Sequence, residues 1–244
     1  MSIRSSCDYE EEGRTLLATD KPGEALAVFE EGSRRFPGND DLRMGVALAT
    51  SRLGEHAKAC HLLEELKLSQ PNSPDVLQAL TEAYLNRGMV DKAKAAADEA
   101  VNAPTADART VSRFARAFYE SRRRQEALPY YEKAATLAPD WGEAWFGLGA
   151  CLWALKHGPA AEAALRRAVD LQPDDHQARQ FWGCVLHDLG RREEARTALE
   201  AVPLDAPWQR AALERLVALG WWPNEPERAK AFEALWHGDR VGRA

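Results

Sequence analysis

Three arginines, Arg109, Arg113 and Arg116, stand at i, i+4 and i+7, the spacing that lines side chains along one face of a helix. Such a ridge does no covalent chemistry. It recognises carboxylates through charge and forked hydrogen bonds. Tyr119 extends the same stretch, and Phe146, Trp153 and Phe181 follow, with Gln177 and His187 close to them in sequence. Residues of metal and covalent chemistry are sparse. His56, Cys60 and His61 form one small group and Cys184 with His187 another, each short of the four converging ligands of a structural zinc. Both read as helix-surface histidines beside packed thiols. The run Arg122, Arg123, Arg124 reads as a solvated turn. No Gly-rich phosphate loop, His-Glu-x-x-His, Gly-x-Ser-x-Gly or dinucleotide fingerprint occurs in the sequence. No enzyme activity, cofactor or metal is therefore expected.

The composition narrows the class further. The chain has 244 residues, 45% hydrophobic and 29% charged, an ordinary balance for a globular protein. Its net charge is −6, which disfavours nucleic acid as a partner, since neutralising phosphates needs a basic surface. No apolar run is long enough to span a membrane. The first dozen residues turn acidic at Glu10, Glu11 and Glu12, where a signal peptide would carry its apolar core. The four cysteines, Cys7, Cys60, Cys151 and Cys184, are widely spread and form no Cys-x-x-Cys, which suits a reducing compartment. A cytoplasmic protein is expected.

An internal repeat dictates which elements must position these residues. Ala25, Ala59, Ala93, Ala127, Ala161, Ala195 and Ala229 recur every 34 residues without insertion or deletion. Twelve residues before each of the first six stands a mostly small residue: Gly13, Ala47, Thr81, Ala115, Gly149, Gly183. Four after comes a mostly large apolar one: Phe29, Leu63, Tyr131, Leu165, Leu199, with Ala97 the exception. Proline follows twelve after, at Pro37, Pro71, Pro139, Pro173 and Pro207. With the alanine set at position 20, positions 4, 7, 8 and 11 form an amphipathic helical stripe. The alanine and position 24 form a second one, and proline at position 32 stops that second helix. Gly54, Gly88 and Gly190 at position 15 fit a left-handed turn between the two.

Trp145, Leu148, Gly149, Leu152, Ala161, Leu165 and Pro173 closely match W-x2-L-G-x2-Y…A-x3-F…P, and on them the chain resembles the tetratricopeptide repeat. The frame defines six units, 6–39, 40–73, 74–107, 108–141, 142–175 and 176–209, and a degenerate seventh, 210–244, as a C-terminal cap. The resemblance implies an all-α, right-handed superhelical solenoid of antiparallel helix pairs with a concave groove. Glu12 and Gly32 predict a thin core for the first unit, and Pro129 is expected in the first turn of a helix starting near Gln125. Gly220, Trp221, Trp222 and Pro223 should end one helix before Pro226 opens another.

In the resembled family, positions 2, 5, 6, 9, 12 and 13 of each first helix line the groove. Here they run from acidic or mixed, with Asp41, Met44, Leu48, Asp75, Gln78 and Glu82, through the arginines of unit four, to Phe146, Trp153 and Phe181. Gln177 and His187 complete the candidate set. The donors for a chaperone-type carboxylate clamp are missing at Met44, Leu48 and Ala79, and position 6 lacks the asparagine that many peptide-binding relatives use. The expectation is a non-enzymatic interaction module that takes a partner protein or peptide segment, acidic plus apolar or aromatic, into its concave groove. The rival readings are a self-assembling homo-oligomeric scaffold and a dedicated assembly or secretion chaperone.

Overall fold

Position 15 is where each first helix hands over to the second, and there the backbone turns left-handed. The computed structural model describes residues 4–221 and 232–233. Positive φ values occur at Gly54 (83°), Gly88 (72°) and Gly190 (78°), and equally at Asp20 (57°), Arg122 (61°) and Lys156 (67°). The next amide reaches back to the carbonyl five residues earlier: Glu55 to Thr50 at 3.1 Å, Met89 to Tyr84 at 2.8 Å, Arg191 to Leu186 at 2.9 Å. This closure satisfies carbonyls that a helix end would otherwise orphan. Glycine adopts the geometry freely, whereas the three substituted residues carry a strain of about 1 kcal/mol each.

Among the described residues there are thirteen α-helices and no strand. The chain divides into two compact units between Arg122 and Arg123. The first holds α1 (Ser6–Ala18), α2 (Pro22–Arg35), α3 (Asp40–Arg52), α4 (His56–Ser69), α5 (Pro74–Asn86), α6 (Val90–Val101) and α7 (Ala108–Glu120). The second holds α8 (Arg124–Leu137), α9 (Gly142–Ala154), α10 (Gly158–Leu171), α11 (His176–Asp188), α12 (Arg192–Glu200) and α13 (Arg210–Ala218). Ser5, Asn39, Ser73, Asp107 and Asp175 cap the amino ends of α1, α3, α5, α7 and α11 with side-chain oxygens, filling the orphan amides there. The second helices need no such cap. Their entry is already fixed by the left-handed turn before them.

The repeat columns are columns of close approach. Ala25, Ala59, Ala93, Ala127, Ala161 and Ala195 are all 0% exposed; Ala229, Trp222, Pro223 and Pro226 lie outside the described residues. A Cβ on Gly13, Gly149 or Gly183 would run into Phe29, Leu165 or Leu199 respectively, so position 8 is small because position 24 is large. Thr81 and Ala97 invert the rule. Thr81 is fully buried with its hydroxyl donating to the Leu77 carbonyl at 2.8 Å, and the short Ala97 leaves it room.

The first unit contributes four buried apolar side chains, Tyr9, Leu17, Ala25 and Phe29, fewer than the second, and Glu12 at position 7 is exposed. They cluster with Leu42 and Ala49 of the second unit, and Gly32 lets Tyr9 and Leu42 approach the backbone of α2. Arg4 and Arg35 also lie over the Tyr9 ring, 4.1 and 5.6 Å from its centroid. Pro129 stands in the second turn of α8, not the first. It frees the Gln125 carbonyl, and both residues are exposed, where water can take the lost bond.

Candidate functional site

In the first compact unit, α1, α3, α5 and α7 bound a groove of about 350 Å³. Met44, Leu48, Val76 and Ala79 give it apolar walls, and Arg14, Asp41, Asp75, Gln78, Glu82 and Arg113 give it charge and hydrogen-bonding groups. The charges are partly spent on each other. Arg113 donates to Asp75 at 2.8 Å and Arg14 lies 3.5 Å from Glu10. Asp40 accepts from Arg43 at 2.9 Å and from Ser69 and Gln70 at 3.0 Å. Burial works to raise the Asp40 carboxyl, but these three donors outweigh it and hold the group below the usual carboxylate range.

Arg109, Arg113, Arg116 and Tyr119 all lie on α7. Arg109 and Arg116 are exposed, Arg113 and Tyr119 half-buried. Arg116 sits 3.8 Å from Glu120, both side chains open to water, a pair of little strength. The Arg113–Asp75 bond joins α7 to α5.

The second unit builds a different face. Phe146 and Trp153 project from α9, Phe181 from α11, and all three are half-buried. Phe181 meets Phe146 edge to face at 5.1 Å and Trp153 at 5.4 Å, geometry that satisfies the ring quadrupoles. Trp153 donates its indole N–H to Asp188 at 3.0 Å. Arg215 of α13 then forks onto the same carboxylate at 3.0 and 3.2 Å, with its guanidinium 5.4 Å from the Trp153 ring centre. Burial opposes charge on Asp188, but Arg215 and Trp153 hold its carboxyl below the ordinary value. His187 is half-buried, 3.4 Å from Asp188, and Gln177 is exposed at the start of α11.

Arg215 was not legible beforehand. No repeat column points to it, because α13 follows a loop ordered by tertiary bonds. Buried Gln180 donates to the Pro207 carbonyl at 2.9 Å and accepts from the Gln209 amide at 2.8 Å, which sets where α13 begins. Position 6 also reads differently in three dimensions. A Cβ on Gly45 would overlap the Phe29 ring, and one on Gly147 the Tyr131 ring. These glycines make room for rings from below and are not free groove surface.

Burial pushes the Cys151 thiol to about 11 and the Cys184 thiol to about 12, so neither forms a thiolate near neutrality. Cys60 is buried, while His61 is exposed beside Glu65. Among the described residues no three His, Cys, Asp or Glu side chains converge as a metal site. None of the described helices is long and apolar enough to cross a membrane.

Known proteins share this fold. Two family models described as tetratricopeptide repeat match residues 16–81 and 112–176, together more than half of the chain. The human protein O-mannosyl-transferase TMTC1 is 24% identical over 166 residues, which are 66% of this chain and 19% of that protein. The chain thus spans about a fifth of the length of this curated relative. A tetratricopeptide repeat protein from Parabacteroides merdae superposes with a TM-score of 0.61 at 12% identity, covering 96% of this chain and 99% of that one. Pseudomonas aeruginosa pilF gives 0.57 at 17% identity, over 80% and 87% of the two chains. A Thermus thermophilus tetratricopeptide repeat protein gives 0.56 at 18%, over 75% of this chain and all of the other. At such identities the likeness concerns the fold, and with the two family models and the buried alanine column it makes the chain a member of the tetratricopeptide repeat family.

Proposed function

We propose that this chain captures a segment of another protein on the faces of its first helices, within six repeat units bounded at 6–39 through 176–209. The segment carries acidic residues for Arg109, Arg113 and Arg116 on α7, and large apolar ones for Phe146, Trp153 and Phe181. The observation that supports this best is the three-ring cluster on α9 and α11, left half-exposed beside a core already filled. An apolar patch kept at the surface usually marks a contact. The family fold is generally a non-catalytic interaction scaffold, and the transferase name of the human relative belongs to a protein of which this chain matches 19%.

The test starts from a partner identified by pull-down and mass spectrometry. Trp153→Ala is expected to weaken its binding at every salt concentration, chiefly through faster dissociation. Arg113→Glu with Arg116→Glu is expected to slow association and to flatten its salt dependence. Wild-type binding by both folded variants would move the contact elsewhere, with the surface around Trp221 the next candidate.

A further inference from the structure

In the first compact unit the unsatisfied chemistry of the groove is all of one kind. Its two wall cations already face carboxylates, Arg14 with Glu10 and Arg113 with Asp75. Asp41 on α3 and Glu82 on α5 are exposed along the same groove, and among the described residues neither pairs with a cation. Gln78 adds a third acceptor. Its amide nitrogen is committed to Glu82 at 2.9 Å, which settles the side-chain orientation and leaves Oε1 shielded from water without a donor. An acceptor in that state costs free energy until a donor arrives. Met44 and Leu48 line the same groove, apolar surface of the kind that an aliphatic stem covers.

We infer that this groove takes a basic residue of the partner: a Lys or Arg whose stem lies on Met44 and Leu48 and whose charge meets Asp41 or Glu82, flanked by an apolar residue. This rests on the capture of a segment proposed above and sharpens it. The segment's acid lies over α7, its base over α3 and α5, so the order of charges fixes its direction. The occupant is a peptide of mixed charge rather than a uniformly acidic one, because the groove's remaining capacity is for donors.

A phage-displayed library of twelve-residue peptides, panned on the full chain, tests the assignment. The control is Asp41→Asn with Glu82→Gln, a pair of isosteric changes at exposed positions whose retained fold is checked by circular dichroism. Enriched peptides are expected to pair Lys or Arg with Leu, Ile or Met, and to bind the double variant about tenfold more weakly, as loss of one good charge contact implies. Three outcomes overturn the inference. The first is no enrichment on the wild type. The second is enriched peptides indifferent to the double variant but lost with Arg113→Glu and Arg116→Glu, which would sink only the basic-residue assignment. The third is enriched peptides indifferent to those changes and to Trp153→Ala, which would sink the first-helix faces altogether.

Discussion

One repeat frame finishes its surface in two ways. On α3, α5 and α7 the first-helix faces end in charges, cross-linked by exposed pairs such as Arg113–Asp75. On α9 and α11 they end in rings stacked on one another, with Trp153 and Asp188 tied to α13 by Arg215. The choice is made one layer down. Where position 24 of the preceding unit is aromatic, as at Phe29 and Tyr131, position 6 of the next first helix is glycine, Gly45 or Gly147, because the ring fills the space of a side chain. Where position 24 is Leu165 or Ala97, position 6 carries Phe181 or Arg113. At position 6, ring and charge thus reach the surface only where the core residue beneath is not aromatic. Water weakens the charged face and leaves it free to exchange partners. The stacked face is part of the fold.

The largest test copies one solution into the place of the other. Gly147→Phe gives α9 the side chain of residue 181 against the Tyr131 ring, and overpacking there is expected to cost about 3 kcal/mol. A thermal midpoint close to wild type would refute the rule linking positions 24 and 6. Phe181→Ala removes the ring that meets both Phe146 and Trp153. Being half-exposed, it is expected to cost about 2 kcal/mol, less than a core phenylalanine, in urea unfolding. A loss below that of a typical surface change would mean the stack is ornamental to stability.

Asp188→Asn loosens the tie to α13 and is expected to cost about 1 kcal/mol at neutral pH, given the partial exposure of the pair. Its pH dependence has a definite sign. The folded carboxyl lies below its ordinary value, so its stabilising contribution is complete above about pH 4 and is lost as pH falls through the folded value. The wild-type advantage over Asp188→Asn should therefore shrink on acidification below pH 4 and stay constant above it. An advantage that grew towards low pH would show the opposite shift. The smallest effect belongs to the charged face. Asp75→Ala breaks a pair whose side chains are 42% and 69% exposed, and a change of about 0.5 kcal/mol or less is expected. A larger loss would make the first-unit face as structural as the second.

What the sequence by itself determined is the helical frame. The alanines at 34-residue spacing, the prolines after α2, α4, α8 and α10, and the turn glycines act through contacts within a helix pair or through local backbone geometry. Such contacts recur at a fixed offset, so a column of letters exposes them. The candidate arginines and rings were legible as positions on a face for the same reason. Their partners were not. Arg113 to Asp75 spans 38 residues and Arg215 to Asp188 spans 27, and neither interval is a multiple of the repeat. Gly45 over Phe29 and Gly32 against Tyr9 look like defects in the pattern until the neighbouring volume is known. Only the tertiary structure decided which charges are spent and which rings are stacked. Those outcomes depend on rotamer, volume and approach between helices, which residue spacing alone does not carry.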